Sequence, residues 1–119
     1  MAIDVRTSEY QDAIRLEVIG EVDGSTAPVM QERVLAAAGP DCRLLLDMSS
    51  VEYMSSAGLR VMLLLFRQIS SNSGKVVLVG LSEDNKDNMT ATGFLKYFST
   101  AETLDDGITV LNNWQKGEE

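Results

Sequence analysis

The stretch that decides the reading of this chain is Asp47-Met48-Ser49-Ser50-Val51-Glu52-Tyr53-Met54-Ser55-Ser56-Ala57-Gly58-Leu59. It follows a short apolar run, Leu44-Leu45-Leu46, and leads into a segment with helical periodicity. A short apolar run closed by polar residues predicts a central strand buried on both faces. Leucine is a weak strand former, so a helix competes, but the run is brief and its exit is polar. From Ser55 or Ser56 to about Ser71 the pattern is helical. At about 100° per residue, Gly58, Met62, Leu65 and Ile69 fall on one face, flanked by Leu59, Val61 and Phe66. The opposite face collects Arg60, Leu63, Leu64, Arg67 and Ser71, with Ser56 at its N-terminal end. Two leucines between two arginines then point outward, the pattern of apolar anchors rimmed by charge found at interfaces.

The strand-to-helix junction is also where a site is expected. In open α/β sheets, sites form where strand C-termini meet helix starts. A serine there lies beside free backbone N–H groups and the positive end of the helix dipole, which suit a phosphate. Ala57-Gly58 adds little side-chain bulk, leaving room for another protein to approach. From position alone, the better reading of Ser55 or Ser56 is an ordinary N-cap, contributing about 1 kcal/mol.

Upstream, Ala13 to Gly20 alternates as a half-buried strand, with Ile14, Leu16 and Val18 on one side and Arg15, Glu17 and Ile19 on the other. Ile3 to Thr7 alternates more weakly and is placed beside it as an edge strand. Gly20-Glu21-Val22-Asp23-Gly24 ends the strand. A helix then follows, capped by Ser25 or Thr26, with Pro28 in its first turn, Ala27, Met30, Val34 and Ala37 inward, and Gly39-Pro40 as its stop. Downstream, Val76-Val77-Leu78-Val79 reads as a second buried strand, adjacent or nearly adjacent to the leucine run and parallel to it. Glu83 to Thr92 reads as a short helix, and Phe94 to Ser99 as a loop and brief strand. Thr103 opens a last helix with Leu104, Ile108 and Leu111 inward and Asp106 completing a partial capping box. Strands alternating with helices predict one α/β domain with a mostly parallel sheet. Residues 1–114 are assigned to the domain and 115–119 to a polar tail.

Composition removes whole classes of function. The 119 residues carry a net charge of −8 and show no basic patch, so nucleic acid and anionic lipid are not expected partners. The chain has no histidine, which removes Ser-His-Asp and Cys-His nucleophile systems and the usual metal ligands. Cys42 is the only cysteine, so no internal disulfide forms and no zinc site is in view. Neither a Walker loop, a GxGxxG loop nor a calcium loop is present. No enzymatic activity, metal or cofactor is therefore expected. No run of about 18 apolar residues and no secretory start is seen, so the expected location is cytoplasmic, with no membrane partner. The six methionines are scattered and read as core filling.

The opening stretch resembles the signature of STAS domains, specifically of bacterial anti-sigma factor antagonists. In that family a strand ending in Asp-x-Ser leads through Val-x-aromatic-Met to Asp-Ser-(Ser/Thr/Ala)-Gly-Leu. The match here is at Asp47, Ser49, Val51, Tyr53, Met54, Ser56, Ala57, Gly58 and Leu59. A shorter match, Gly20-Glu21-Val22-Asp23, resembles the family's Gly-x-(Ile/Leu/Val)-Asp turn. The order of elements agrees along nearly the whole chain. The resemblance implies a STAS-like fold, a four- or five-stranded mixed, mostly parallel sheet flanked by helices. It implies that an anti-sigma factor with serine kinase activity binds the unmodified form, phosphorylates Ser56 and is thereby released, and that a serine phosphatase restores the first state. Where the family has Asp before the phosphoacceptor, this chain has Ser55, a second candidate hydroxyl. Asp23 has two readings, a turn residue or a partner contact. Asp47 is read as ordering its loop, and Tyr53 and Met54 as packing residues. The partner surface expected from the resemblance and the helical phase is Asp23, Ser55, Ser56, Gly58, Arg60, Leu63, Leu64 and Arg67. The alternatives are a STAS scaffold or lipid-transport accessory subunit that does not signal by phosphate, and a small enzyme or nucleotide-binding domain.

Overall fold

The computed structural model describes residues 3–114. The polar tail expected at 115–119 lies outside the described residues. Nine elements follow one another: β1 (Asp4–Tyr10), β2 (Ala13–Ile19), α1 (Ala27–Ala37), β3 (Arg43–Ser50), α2 (Ser56–Ser71), β4 (Lys75–Val79), α3 (Glu83–Ala91), β5 (Ser99–Ala101) and α4 (Leu104–Asn113), with a single 3-10 turn at Leu95–Tyr97 before β5. The strands lie in one sheet in the order β1-β2-β3-β4-β5. The β1–β2 hairpin is antiparallel and the remaining pairs are parallel. Leu44 pairs with Val76 and Leu46 with Leu78, so the leucine run and the valine run are neighbouring parallel strands, as expected.

Alternation along the central strands sorts their side chains onto two faces. Leu44, Leu46 and Met48 join Leu16, Val18, Val76 and Leu78 under α1 and α2 in the larger core. Leu45, Val77 and Val79 turn the other way and pack with Ile108 and Leu111 of α4. All three leucines of the run are fully buried. Each contributes about 1.5–3 kcal/mol by leaving water, which is why a weak strand former occupies a strand. Helix α2 keeps the predicted phase: Gly58, Leu59, Met62, Leu65, Phe66 and Ile69 are its buried residues.

Three local expectations are corrected. Helix α1 has no side-chain cap: the Thr26 hydroxyl is turned back to the Glu21 carbonyl, and Asp23 accepts the Thr26 amide in its place. Tyr53 is not a packing residue; it is 53% exposed while its neighbour Met54 is buried, because this extended segment alternates. In α4, Leu104 is only half-buried, and Gly107 takes the inward place against Leu45 and Val79. Thr103 does cap that helix, accepting the Asp106 amide.

Candidate functional site

The two sequence motifs, more than twenty residues apart, meet in one place. Gly20 adopts a φ of +121° and ends β2. The chain then runs alongside the β3–α2 loop, where Val22 and Met54 form an isolated parallel bridge. The Val22 amide donates to the Tyr53 carbonyl at 3.0 Å, and the Ser55 amide donates to the Val22 carbonyl at 2.8 Å. Two further residues pack into this junction. A side chain on Gly24 would touch the Ala57 methyl, and one on Gly58 would collide with Val22. Gly58 was expected to clear space for a partner. It is buried instead, and its bare Cα clears space for the chain's own Val22.

The serines at the head of α2 divide the work. Ser55 is the N-cap: its backbone is extended, its side-chain oxygen accepts the Gly58 amide at 3.0 Å, and its carbonyl accepts the Leu59 amide. Ser56 is the first helical residue and is exposed. Its hydroxyl has no hydrogen bond within the described residues. The exposed Ser56 hydroxyl therefore sits in the first turn, beside the positive end of a 16-residue helix.

Neighbouring groups fix the frame. Asp23 accepts the Ser25 amide, the Ser25 hydroxyl and the Thr26 amide through one oxygen. The Ser25 hydroxyl, then the Thr26 and Ser25 amides, hold its carboxyl below the usual range. Of the two readings of Asp23, the turn role is thus observed. Asp47 orders its loop as expected, accepting the Ser49 hydroxyl at 2.7 Å and the Ser49 amide at 3.1 Å. Burial pushes its acidity down, but the Ser49 hydroxyl and the Arg15 guanidinium, 2.8 Å away, outweigh burial and leave the carboxyl below its usual range.

Sequence reasoning missed two residues of α3. The buried Asn85 donates its side-chain amide to the Val51 carbonyl at 3.1 Å, and Asn88 donates to the Met54 carbonyl at 3.2 Å. At i and i+3 they share one helix face and bracket the loop. The available signal was two asparagines inside a short helix otherwise rich in charge, where an amide is a weak helix former.

The outward face of α2 carries Arg60, Leu64 and Arg67, all exposed, with Leu64 at 55%. Leu63 departs from the expectation: it is half-buried and packs against the main core. Ser56, Arg60, Leu64 and Arg67 are thus on one exposed strip of α2, while Asp23 and Ser55 lie at its head and Gly58 is beneath it.

A family model described as the STAS domain matches residues 4–107. The chain belongs to the STAS domain family. The anti-sigma-B factor antagonist of Bacillus subtilis is 35% identical over 85 residues, which are 70% of this chain and 76% of that protein. The anti-sigma-B factor antagonist of Listeria monocytogenes is 34% identical over 85 residues, 70% of this chain and 75% of that one. Among solved structures, an anti-sigma factor antagonist from Mycobacterium paratuberculosis superposes with a TM-score of 0.81 at 25% identity, over 94% of this STAS domain and 96% of that chain. No helix among the described residues of this STAS domain is long and apolar enough to cross a membrane.

Proposed function

We propose that this STAS domain is an anti-sigma factor antagonist, that its unmodified form binds an anti-sigma factor with serine kinase activity, and that phosphorylation of Ser56 releases it. The observation that carries the reading is the division between the two serines: Ser55 is engaged as the helix cap, and Ser56 is exposed with its hydroxyl unengaged. The relatives named as anti-sigma-B factor antagonists supply the partner class. The strip of Arg60, Leu64 and Arg67 running from Ser56 along α2 supplies a docking face.

Release follows from charge. A phosphate adds about −1.5 to −2 charges and three strong acceptor oxygens. Its oxygens are within reach of the first-turn amides, so the modified serine is held at the helix head and does not unfold it. A partner surface fitted to a neutral hydroxyl then meets a desolvated dianion. A serine phosphatase restores the neutral state.

The test is incubation of the full chain with the anti-sigma factor kinase of its own cell and ATP, followed by phosphopeptide mapping. Phosphate on Ser56, and loss of the kinase complex on its appearance, are expected. Phosphate on Ser55 alone, or a complex that survives modification, overturns the reading. A STAS scaffold that never accepts phosphate is the outcome in which Ser56 stays unmodified.

A further inference from the structure

A groove of about 510 Å³ runs along the C-terminal half of α2, between that helix and the segment carrying the 3-10 turn and β5. Its floor is apolar, built from Leu63, Phe66 and Val76. Phe66 is fixed there by Phe98, edge to face at a centroid distance of 4.6 Å. Three cations stand along the groove, Arg67, Lys75 and Lys96, and among the described residues no carboxylate lines it. The Lys96 ammonium lies 5.4 Å from the centre of the exposed Tyr97 ring, a cation–π distance.

That gathering of charge is not what the composition leads one to expect, since acidic residues outnumber basic ones 18 to 10. Among the described residues Arg6, Arg15, Arg33, Arg43 and Lys86 are held in ion pairs. Arg60, Arg67, Lys75 and Lys96 are in none, and three of these four line this one groove. Cations grouped over an apolar floor attract an anion more strongly than the same cations spread over open water. A bare inorganic ion uses the rim alone. An apolar body without charge uses the floor alone. The volume falls within the range of about 300–1,000 Å³ typical of small-molecule sites, which pair an apolar lining with a few charged groups.

We propose that this groove binds a small organic anion with an apolar body, its acidic head met by Arg67, Lys75 and Lys96 and its body laid over Leu63 and Phe66. The site is separate from the phosphate switch: Arg67 lies eleven residues beyond Ser56, about 16 Å along the helix axis. The groove and the docking strip have only Arg67 in common, and the inference does not depend on what docks at Ser56.

The experiment is a titration of the full 15N-labelled chain followed by amide chemical shifts. Decanoate and naphthalene-2-sulfonate are the probes, with decanol and inorganic sulfate as half-ligand controls. Saturable shifts confined to residues 63–76 and 96–99 are expected for the two organic anions, with far weaker effects from either control. The double variant Arg67→Glu/Lys96→Glu should weaken the anions about tenfold or more with an unchanged melting temperature. The proposal is overturned if neither organic anion gives saturable shifts or if the shifts map elsewhere. It is equally overturned if decanol or sulfate alone binds as well, or if the double variant binds as the parent does.

Discussion

The Cβ that Gly58 lacks would stand 2.7 Å from the carbonyl oxygen of Val22 and 2.9 Å from its side chain. That carbonyl is itself engaged, since it accepts the Ser55 amide at 2.8 Å, so it has no freedom to retreat. Gly58→Ala should therefore destabilise the domain by about 1–3 kcal/mol despite alanine's better helix propensity. Urea unfolding of the variant measures this. An equal or raised midpoint would mean that the Val22 segment yields.

The two serines should separate cleanly in stability. Ser55→Ala removes the cap on the Gly58 amide and should cost about 1 kcal/mol. Ser56→Ala removes an exposed hydroxyl and should stay within about 0.5 kcal/mol of the parent. Thermal melts of both variants, set beside kinase assays, then tell a structural serine from an acceptor: Ser56→Ala should melt as the parent does and take no phosphate.

Asn85 should matter more than its place in a polar helix suggests. Asn85→Ala leaves the Val51 carbonyl without its donor in a buried position and should cost about 1–3 kcal/mol. Asn88→Ala removes the partly exposed bond to Met54 and should cost less. If the pair positions the loop, both variants should also raise KM for the kinase. A pure stability loss with unchanged kinetics on the folded fraction would restrict the pair to a structural role.

Asp47 gives the chain an acid-sensitive contribution. Its folded carboxyl is below the ordinary range, so the unfolded chain binds more protons than the folded one as pH falls through that range. The stabilisation from its bonds to Ser49 and Arg15 is complete above about pH 4–5 and is lost as pH falls through the folded value. Asp47→Asn should be less stable than the parent at pH 7 by about 1–3 kcal/mol, with the gap narrowing on acidification. Denaturation midpoints at a series of pH values test this; a gap that does not change with pH removes Asp47 from acid sensitivity.

On α2, Leu64→Asp and Arg60→Glu should weaken kinase binding and leave the melting temperature nearly unchanged, since both residues are exposed. Leu63→Asp is expected to destabilise, because Leu63 packs against the core. Isothermal titration with the kinase, paired with melts, separates the two residues. Normal binding by both exposed-face variants places the docking surface elsewhere.

The legible part of this molecule is the part governed by periodicity. The faces of α2, the pairing of Leu44–Leu46 with Val76–Leu78 and the cap of α4 all follow from spacing that local physics imposes. What escaped depends on contacts between distant segments. Whether Gly58 opened a path for a partner or made room for Val22 turned on a residue 36 positions earlier. Thr26 looked like a cap until Glu21 and Asp23 claimed its hydroxyl. Asn85 and Asn88 gave no pattern of their own, since their partners are carbonyl oxygens, which every residue carries. Leu63 shows the limit of phase alone: an outward angle on the helix does not reveal that the side chain packs against the core.

The strand order across the sheet is the order of synthesis. As the chain emerges from a ribosome, each new strand finds its neighbour already made. By the time α2 has appeared, Val22 and the Ser56 loop are both present and able to pair. The asparagines that brace the loop arrive only with α3, after β4. Ser56 therefore exists first in an unbraced form, and its final geometry is set by a segment translated after it. A chain truncated before Asn85 would still carry both motifs and lack the brace.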